Sequence, residues 1–245
     1  MKMKVLGVIP SRYNSSRFPG KPLADICGKP MIWWVYGNVK KCSLLDDVVV
    51  ATDDDRILFE CKKYNIPVLM TSSAHDTPTS RLYEVSCNLD SDYYTFIGGD
   101  EPLVDSKAID CVISEALNSK NPVTHGMTKI KTAPEVIDFT NIKVTVSTKN
   151  YLLYTTRSAI PFPKGGLEFN YMKFVGIGVF SKEALSKYNA TPKSELEKIE
   201  ECDLIRFLEL DLKVKMVEVE CRNISVDTPK DLEAVIHIIK QKELL

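Results

Sequence analysis

VLGVIPSRYNSSRFPGKPL, residues Val5–Leu23, changes character at its middle. Its first half is a short apolar run, which is the pattern of a strand buried on both faces. Its second half is polar, turn-forming and basic. In open α/β sheets, ligands bind in the crevice beyond the carboxyl ends of the strands. A buried strand that runs into a basic loop therefore predicts an anion-binding crevice.

The basic loop suits a polyphosphate. Arg12, Arg17 and Lys21 supply cations, and backbone N–H groups around Gly20 add hydrogen-bond donors. The sequence contains neither the G-x-x-x-x-G-K-[ST] P-loop nor a G-x-G-x-x-G dinucleotide fingerprint after the strand. A basic loop that is only solvated stays an alternative on this reasoning, because runs of charge are usually surface features.

Strand patterns and helix patterns alternate from this loop to about residue 118. Strands are expected at 4–10, 46–52, 67–70 and 93–97, and helices at 31–41, 56–64, 79–89 and 106–118. Asp53–Asp55 follow the second strand and are interpreted as a cap for the next helix rather than as a metal site. The alternation predicts an α/β fold with a doubly wound, mainly parallel sheet.

Residues 121–165 depart from this alternation. The β-rich segments 123–130, 142–147 and 152–156 follow one another without clear helices, and they are interpreted as antiparallel strands or an inserted subdomain. Regular patterns then return, with strands expected at 172–180 and 214–220 and helices at 181–188, 199–210 and 230–242. No linker or internal repeat divides the chain, so residues 1–245 are interpreted as one domain.

Two aspartates stand at the ends of predicted strands. Asp100 follows Gly98 and Gly99, and Asp227 precedes Thr228 and a proline. A simple turn would explain the first, and a helix N-cap would explain the second. Together they also suit Mg²⁺, which binds one or two carboxylates along with phosphate oxygens. A basic loop and two carboxylates are the groups that a nucleotidyl transfer requires.

The composition limits the possible functions. A formal net charge of −1 argues against nucleic acid or a membrane surface as a partner. The seven cysteines are dispersed without C-x-x-C spacing, which indicates reduced thiols in a cytoplasmic protein. The N-terminal apolar run is too short for a signal peptide, and no run approaches the length of a membrane span. His125 lies in an apolar segment and is interpreted as a packing or surface group rather than a functional one.

The opening loop resembles the signature of the sugar-activating cytidylyltransferases, above all the 3-deoxy-manno-octulosonate cytidylyltransferases. Further matching motifs follow in the family's order: A-T-D-D at 51–54, His75 through Arg81, G-D-E-P at 99–102, R-S-x-I-P-F-P at 157–163, V-G-I at 175–177 and V-D-T-P-x-D-L at 226–232. The resemblance covers essentially the whole chain. It implies a Rossmann-like nucleotidyltransferase fold in which residues 121–165 form a β-rich dimerisation insertion, so a homodimer is expected.

The resemblance also implies CTP and an acidic sugar as substrates and Mg²⁺ as the cofactor. Catalytic roles are implied for Arg12, Lys21, Asp100 and Asp227, of which the two aspartates would hold the metal. Contacts to CTP are implied for Ser15, Ser16, Arg17, Thr79 and Arg81. Contacts to the acidic sugar are implied for Arg157, Tyr171 and Asp203.

Several positions depart from the family pattern. Pro78 and Ser80 stand where the family has Gly and Asp, Gly98 replaces a Gln, and Phe174 replaces a His. The family also carries a Glu near Asp203. The Gln, His and Glu are associated with the sugar acid, so these changes concern acceptor choice more than the transfer itself. The expected function is activation of 3-deoxy-manno-octulosonate or a relative. The alternatives are a different acid acceptor, such as a nonulosonic acid or a phosphonate, and a non-catalytic nucleotide-binding homologue.

Overall fold

The first strand, β1, spans Val5–Ser11 and has a neighbouring strand on each side. The computed structural model describes residues 3–15, 17–165, 169–220 and 224–243. Leu6 and Val8 pack into one hydrophobic core, whereas Val5 and Ile9 pack into a second. Successive side chains of a strand point to opposite faces, so a strand that is covered on both faces needs an unbroken apolar run. The predicted buried strand is confirmed.

The remaining elements follow in chain order. The other strands are β2 Asp25–Ile26, β3 Lys29–Pro30, β4 Asp47–Thr52, β5 Val68–Met70, β6 Tyr93–Ile97, β7 Val123–Lys129, β8 Lys143–Val146, β9 Leu152–Thr156, β10 Met172–Ser181 and β11 Val214–Glu218. The helices are α1 Met31–Val39, α2 Asp55–Lys63, α3 Pro78–Asn88, α4 Ser106–Ser119, α5 Ala133–Ile137, α6 Lys182–Ala190, α7 Glu195–Glu200, α8 Leu204–Glu209 and α9 Pro229–Glu243. A short 3₁₀ helix covers Lys21–Leu23.

In the described part of the chain, nine strands form one sheet whose main path is β11-β7-β10-β6-β1-β4-β5. The pairs β1–β4, β1–β6, β4–β5 and β7–β11 are parallel, and β10 runs antiparallel to both β6 and β7. One face is covered by apolar residues of α1, α2, α4 and α9, and the other by residues of α3, α6 and α8. The predicted doubly wound, mainly parallel sheet is confirmed.

The region 121–165 is more closely joined to the sheet than the sequence pattern suggests. β7 lies within the main sheet between β10 and β11, and only the antiparallel hairpin β8–β9 lies off the main path. β8 still pairs with β10 at Met172 and Lys173. The region also contains a short helix, α5, which the β-rich sequence pattern does not indicate.

The helix predicted over residues 199–210 is wrong in its bounds. The chain forms two short helices instead, α7 and α8, and Glu201 between them has a left-handed φ of 49°. A left-handed residue ends an α-helix because it turns the next backbone groups out of the helical path. None of the helices in the described residues combines the length and the apolar character needed to span a bilayer.

Candidate active site

Three distant parts of the chain meet beyond the carboxyl ends of β1 and β6. The Lys21 Nζ lies 2.8 Å from the Asp100 Oδ2 and 3.2 Å from the Asp227 Oδ1, and it donates to the Val226 carbonyl oxygen at 3.0 Å. The guanidinium of Arg17 lies 3.0 Å from the same Asp227 oxygen. The predicted basic loop and the two predicted carboxylates therefore form one cluster in the crevice.

Gly99 allows the turn that carries Asp100 to approach β1. A Cβ atom at Gly99 would lie 2.5 Å from the Pro10 carbonyl oxygen, which is closer than a side chain tolerates. The Val226 N–H donates to the Asp100 carbonyl oxygen at 2.9 Å, so the segment before α9 is held against the same turn. The two aspartates are thus placed by backbone contacts as well as by Lys21.

Asp227 does not cap the helix that follows it. Thr228 and Asp231 form that cap reciprocally: the Asp231 Oδ2 accepts from the Thr228 N–H at 2.8 Å, and the Asp231 N–H donates to the Thr228 Oγ1 at 3.4 Å. This is the arrangement of a capping box with Asp at its third position. The Asp227 side chain is therefore directed to Lys21 and Arg17 instead, which excludes the N-cap alternative.

The basic loop is closed at its base by Gly20. Its N–H donates to the Tyr13 carbonyl oxygen at 2.8 Å, and its φ of 73° is a left-handed value that glycine adopts without strain. Arg12, Ser15 and Arg17 line the crevice that this loop borders, whereas Ser16 lies outside the described residues. Lys21 is mostly shielded from solvent by the carboxylates it contacts, whereas the Arg17 side chain contacts Asp227 and stays 54% exposed.

Arg81 and Thr79 lie on the first turns of α3 and make polar contacts inside the protein. Arg81 is buried and pairs with Asp53, with the guanidinium nitrogen 2.8 Å from the Asp53 Oδ2. The Thr79 hydroxyl donates to the Asp203 Oδ2 at 2.5 Å. Burial raises the pKa of the Asp203 carboxyl. The predicted helix cap within Asp53–Asp55 is provided by Asp54, whose side chain accepts from the Arg56 N–H, while Asp53 pairs with Arg81.

Pro78 is compatible with the structure at this point. It occupies the first turn of α3, where a proline lacks only an N–H that the helix does not use. The Thr77 side chain caps the same helix by accepting from the Ser80 N–H at 3.1 Å. The two substitutions at 78 and 80 therefore replace the family residues with a regular helix start.

A buried polar network behind α3 was not predicted from the sequence. Arg206 donates to Glu197 through two nitrogens, at 2.6 and 2.8 Å, and the Tyr188 hydroxyl donates to Glu197 at 2.9 Å. The Tyr188 hydroxyl also lies 3.1 Å from the Thr77 Oγ1. The network thus connects α6, α7 and α8 to the cap of α3. No local sequence pattern indicates it, because its members come from separate elements.

The crevice continues toward β10 as a cavity of about 1120 Å³. Gly98, Phe174, Arg157 and Asp203 line it. The Phe174 ring stacks on the buried His125 with a centroid distance of 4.4 Å and an interplanar angle of 13°. Desolvation lowers the pKa of His125 to about 4, so its imidazole is neutral at pH 7. His125 is a packing group, as predicted.

The residues expected near the acidic sugar are only partly brought together. Arg157 faces the cavity and donates to the carbonyl oxygens of Glu200, at 3.0 Å, and Phe139, at 3.1 Å. The Tyr171 hydroxyl instead donates to the Pro161 carbonyl oxygen at 2.8 Å, and its ring packs against Phe169. The structure therefore does not bring Tyr171 to the cavity wall beside Arg157.

The carboxylate pair has the chemistry of a magnesium site that a phosphate completes. Among the described residues, no cluster of three or more His, Cys, Asp or Glu side chains could hold a metal by itself. Asp100 and Asp227 offer two carboxylates that one cation, the Lys21 ammonium, already bridges. Mg²⁺ typically takes one or two protein carboxylates and fills its octahedron with water and phosphate oxygens. The donor set therefore fits Mg²⁺ bound together with a phosphate ligand.

Known proteins resemble this chain over its whole length. A sequence profile of the cytidylyltransferase family matches residues 6–215. The 3-deoxy-manno-octulosonate cytidylyltransferase of Fusobacterium nucleatum is 38% identical over 248 residues, covering 99% of each chain. That of Geotalea daltonii is 36% identical over 254 residues, covering 98% of this chain and all of the relative. A solved CMP:2-keto-3-deoxy-manno-octonic acid synthetase in complex with CTP is 34% identical, with a TM-score of 0.93 over 98% of this chain and 99% of that one.

Proposed function

The chain belongs to the 3-deoxy-manno-octulosonate cytidylyltransferase family, and from this we propose how its crevice carries out the reaction. It is a CTP-dependent nucleotidyltransferase that activates 3-deoxy-manno-octulosonate. The anomeric hydroxyl of the sugar attacks the α-phosphate of CTP, the bond to the β-phosphate breaks, and the products are the CMP-sugar and pyrophosphate. The observation that carries this mechanism is the convergence of Lys21, Asp100 and Asp227 at the end of the sheet.

The triphosphate would lie along the basic loop. Arg12, Arg17 and Lys21 would pair with phosphate oxygens, and Ser15 and Ser16 would donate to them. Asp100 and Asp227 would hold Mg²⁺, which when bound neutralises charge at the α-phosphate. These charge-assisted contacts strengthen as negative charge develops on the departing pyrophosphate, so they stabilise the transition state more than the bound CTP.

The nucleoside would lie against the start of α3. Thr79 and Arg81 would define this side of the site, and the Asp53–Arg81 ion pair supports the role by keeping the guanidinium in one orientation. Because Arg81 is buried and already paired, it would shape the pocket rather than supply a free positive charge.

The acidic sugar would occupy the cavity toward β10. Arg157 would attract its carboxylate, with Asp203 as a polar contact. Tyr171 would reach the sugar only if its hydroxyl left the Pro161 carbonyl oxygen. Phe174 and Gly98 favour a second candidate: the same chemistry on another acid acceptor, such as a nonulosonic acid or a phosphonate. Both positions lack a hydrogen-bonding side chain where the family has one.

A second copy of the chain would complete the assembly. Ile137, Phe139, Leu153 and Phe162 are large apolar residues that are exposed and all lie within 121–165. Exposed apolar residues concentrated in one region are typical of an interaction surface. The proposed compartment is the cytoplasm, which is consistent with the free thiols of the six described cysteines.

Pyrophosphate release tests the proposed reaction. CTP, Mg²⁺ and one acid acceptor at a time would be supplied: 3-deoxy-manno-octulosonate, a nonulosonic acid or a phosphonate, with a reaction without acceptor as the control. Release that requires the octulosonate supports the first assignment, and release that requires one of the other acids supports the second. No release with any acceptor, by protein that still binds CTP, would refute both.

A further inference from the structure

The ammonium of Lys21 has all three of its hydrogen bonds satisfied by the carboxylate pair and its neighbour. An ammonium group carries three donors, and the acceptors here are the Asp100 Oδ2, the Val226 carbonyl oxygen and the Asp227 Oδ1. The side chain is only 13% exposed. Lys21 therefore lines the crevice as a cation held between two carboxylates, with no donor left over for a phosphate.

Those two carboxylates are also the ones that would hold Mg²⁺. A divalent ion and an ammonium group cannot both lie between the same two carboxylates at full strength, because the cations repel each other and compete for the same negative charge. Arg17 differs from Lys21, since it contacts only Asp227 among the pair and its side chain is 54% exposed. Lys21 is thus the side chain that bridges the site.

We propose that Lys21 occupies the divalent-cation position of the nucleotide-free protein and excludes a free cation until a triphosphate draws the lysine away. The phosphate oxygens would provide replacement acceptors for the ammonium, and they would also bring the remaining ligands that the metal needs. The metal would then enter together with the nucleotide. The blocking of the site rests on the observed contacts alone, and only the release step rests on the proposed function.

Manganese, a paramagnetic substitute for magnesium, provides a direct test on the nucleotide-free protein. The electron paramagnetic resonance signal of free Mn²⁺ would be titrated with wild type, Lys21→Met, Arg17→Met and the double variant Lys21→Met with Asp227→Asn. Methionine keeps the length of the lysine stem and removes the charge. We expect Lys21→Met to bind Mn²⁺ at least about tenfold more tightly than wild type, since it loses a competing cation from the site.

The other variants distinguish the loss of a cation that bridges the two carboxylates from the loss of a nearby positive charge. Arg17→Met removes a cation that contacts Asp227 but not Asp100, so its gain in Mn²⁺ affinity should be clearly smaller than that of Lys21→Met. Lys21→Met with Asp227→Asn should bind Mn²⁺ no more tightly than wild type, because one of the two carboxylates has been removed. Equal Mn²⁺ affinity in wild type and Lys21→Met, or equal gains in Lys21→Met and Arg17→Met, would overturn the proposal.

Two further measurements keep the test decisive. If Lys21→Met does not fold, Lys21→Gln takes its place, because glutamine is neutral and can still donate to the aspartates; the same gain in Mn²⁺ affinity is required of it. CTP without acceptor should then give wild type the enhanced water-proton relaxation of a protein-bound manganese–CTP complex. If wild type shows no such enhancement but Lys21→Met still gains Mn²⁺ affinity, the release step and the CTP assignment are refuted. The blocked cation site of the nucleotide-free protein would then still hold.

Discussion

At the scale of single residues, the proposed chemistry depends on the two carboxylates beside Lys21. Asp100 and Asp227 reach one cation from distant parts of the chain, and each is held by backbone contacts of its own turn. Replacing either with Asn keeps the shape of the side chain and removes its charge. The site then keeps its geometry but cannot neutralise the charge that develops at the α-phosphate.

We expect Asp100→Asn and Asp227→Asn each to lower the rate of pyrophosphate release by about 10²-fold or more at saturating Mg²⁺. Asp90→Asn is the control, because that carboxylate is exposed and pairs only with Lys182 at the surface. Thermal unfolding would establish that all three variants are folded. Wild-type rates in both site variants would show that the two-carboxylate site is wrong.

Gly98 and Phe174 lead to a prediction about the acceptor. The double variant Gly98→Gln with Phe174→His should raise kcat/KM for 3-deoxy-manno-octulosonate by about tenfold, because it adds two hydrogen-bonding groups to the cavity wall. A Cβ at Gly98 would lie 3.1 Å from the Asp100 Oδ1, so a side chain at this position can displace the carboxylate. The single variant Phe174→His is therefore measured alongside it.

Initial rates against octulosonate concentration at saturating CTP decide this prediction. If neither variant has a higher kcat/KM for octulosonate, and wild type already turns over octulosonate efficiently, the residues at these two positions do not restrict the choice of acceptor. A gain in Phe174→His alone would locate the effect at the wall that stacks on His125.

His125 makes stability depend on pH in a definite direction. Its folded pKa is lowered to about 4 from the ordinary value of 6.5, so between these values the unfolded chain binds a proton that the folded protein does not. Stability from this group is therefore complete above about pH 6.5 and is lost as the pH falls toward 4. The loss amounts to roughly 3 kcal/mol over that interval.

Urea unfolding at pH 7, 5.5 and 4 would measure this dependence. His125→Gln, which does not titrate, should lose less unfolding free energy than wild type over the same interval. Other groups of the protein titrate alike in both chains, so the difference between the two curves isolates His125. If the unfolding free energies of wild type and His125→Gln fall equally with pH, His125 is not held neutral by burial.

At the scale of elements, the start of α3 depends on helices far from it in sequence. Arg206 of α8 holds Glu197 of α7, and Tyr188 of α6 links this pair to the Thr77 cap. Glu197 is completely buried. A buried charge left without its partner destabilises a protein by more than the intact ion pair stabilises it. The three helices therefore act together as the support for the start of α3, where the nucleoside is proposed to lie.

Arg206→Met should lower the free energy of unfolding by about 3–5 kcal/mol, because it leaves the Glu197 carboxylate buried and unpaired. Lys198→Met is a matched control from the same ion-pair chemistry: Lys198 pairs with Glu195 at the surface of α7. Lys198→Met should lower the free energy of unfolding by less than about 0.5 kcal/mol. Urea unfolding of both variants measures the difference, and equal costs would show that the network contributes no more than a surface pair.

At the scale of the whole molecule, the exposed apolar residues of 121–165 indicate where a second copy would bind. Leu153 is 61% exposed and Phe162 is 82% exposed. Sedimentation equilibrium should give twice the mass of one chain for wild type, and the double variant Leu153→Asp with Phe162→Asp should be monomeric, because an interface cannot bury unpaired charges. Phe59→Asp is the control, since Phe59 is 69% exposed on α2, outside this region. A monomeric wild type would refute the homodimer.

The sequence by itself determined the features that depend on neighbours along the chain. Local periodicity and turn chemistry indicate the apolar run of β1, the basic loop after it and a cap for α2 within Asp53–Asp55. The motif order also identified the family, because a long signature constrains many positions at once. These inferences are reliable since a strand's two faces and a helix's first turn are set within a few residues.

Only the tertiary structure decided which distant groups meet. Lys21 lies 79 positions from Asp100 and 206 from Asp227, and no local pattern encodes their contact. The same holds for β7 inside the main sheet, for the Arg206–Glu197 pair and for the contact of Tyr171 with Pro161. Strand order and buried polar pairs arise from the packing of whole elements. Their free energy depends on contacts that exist only once the chain has closed its long loops.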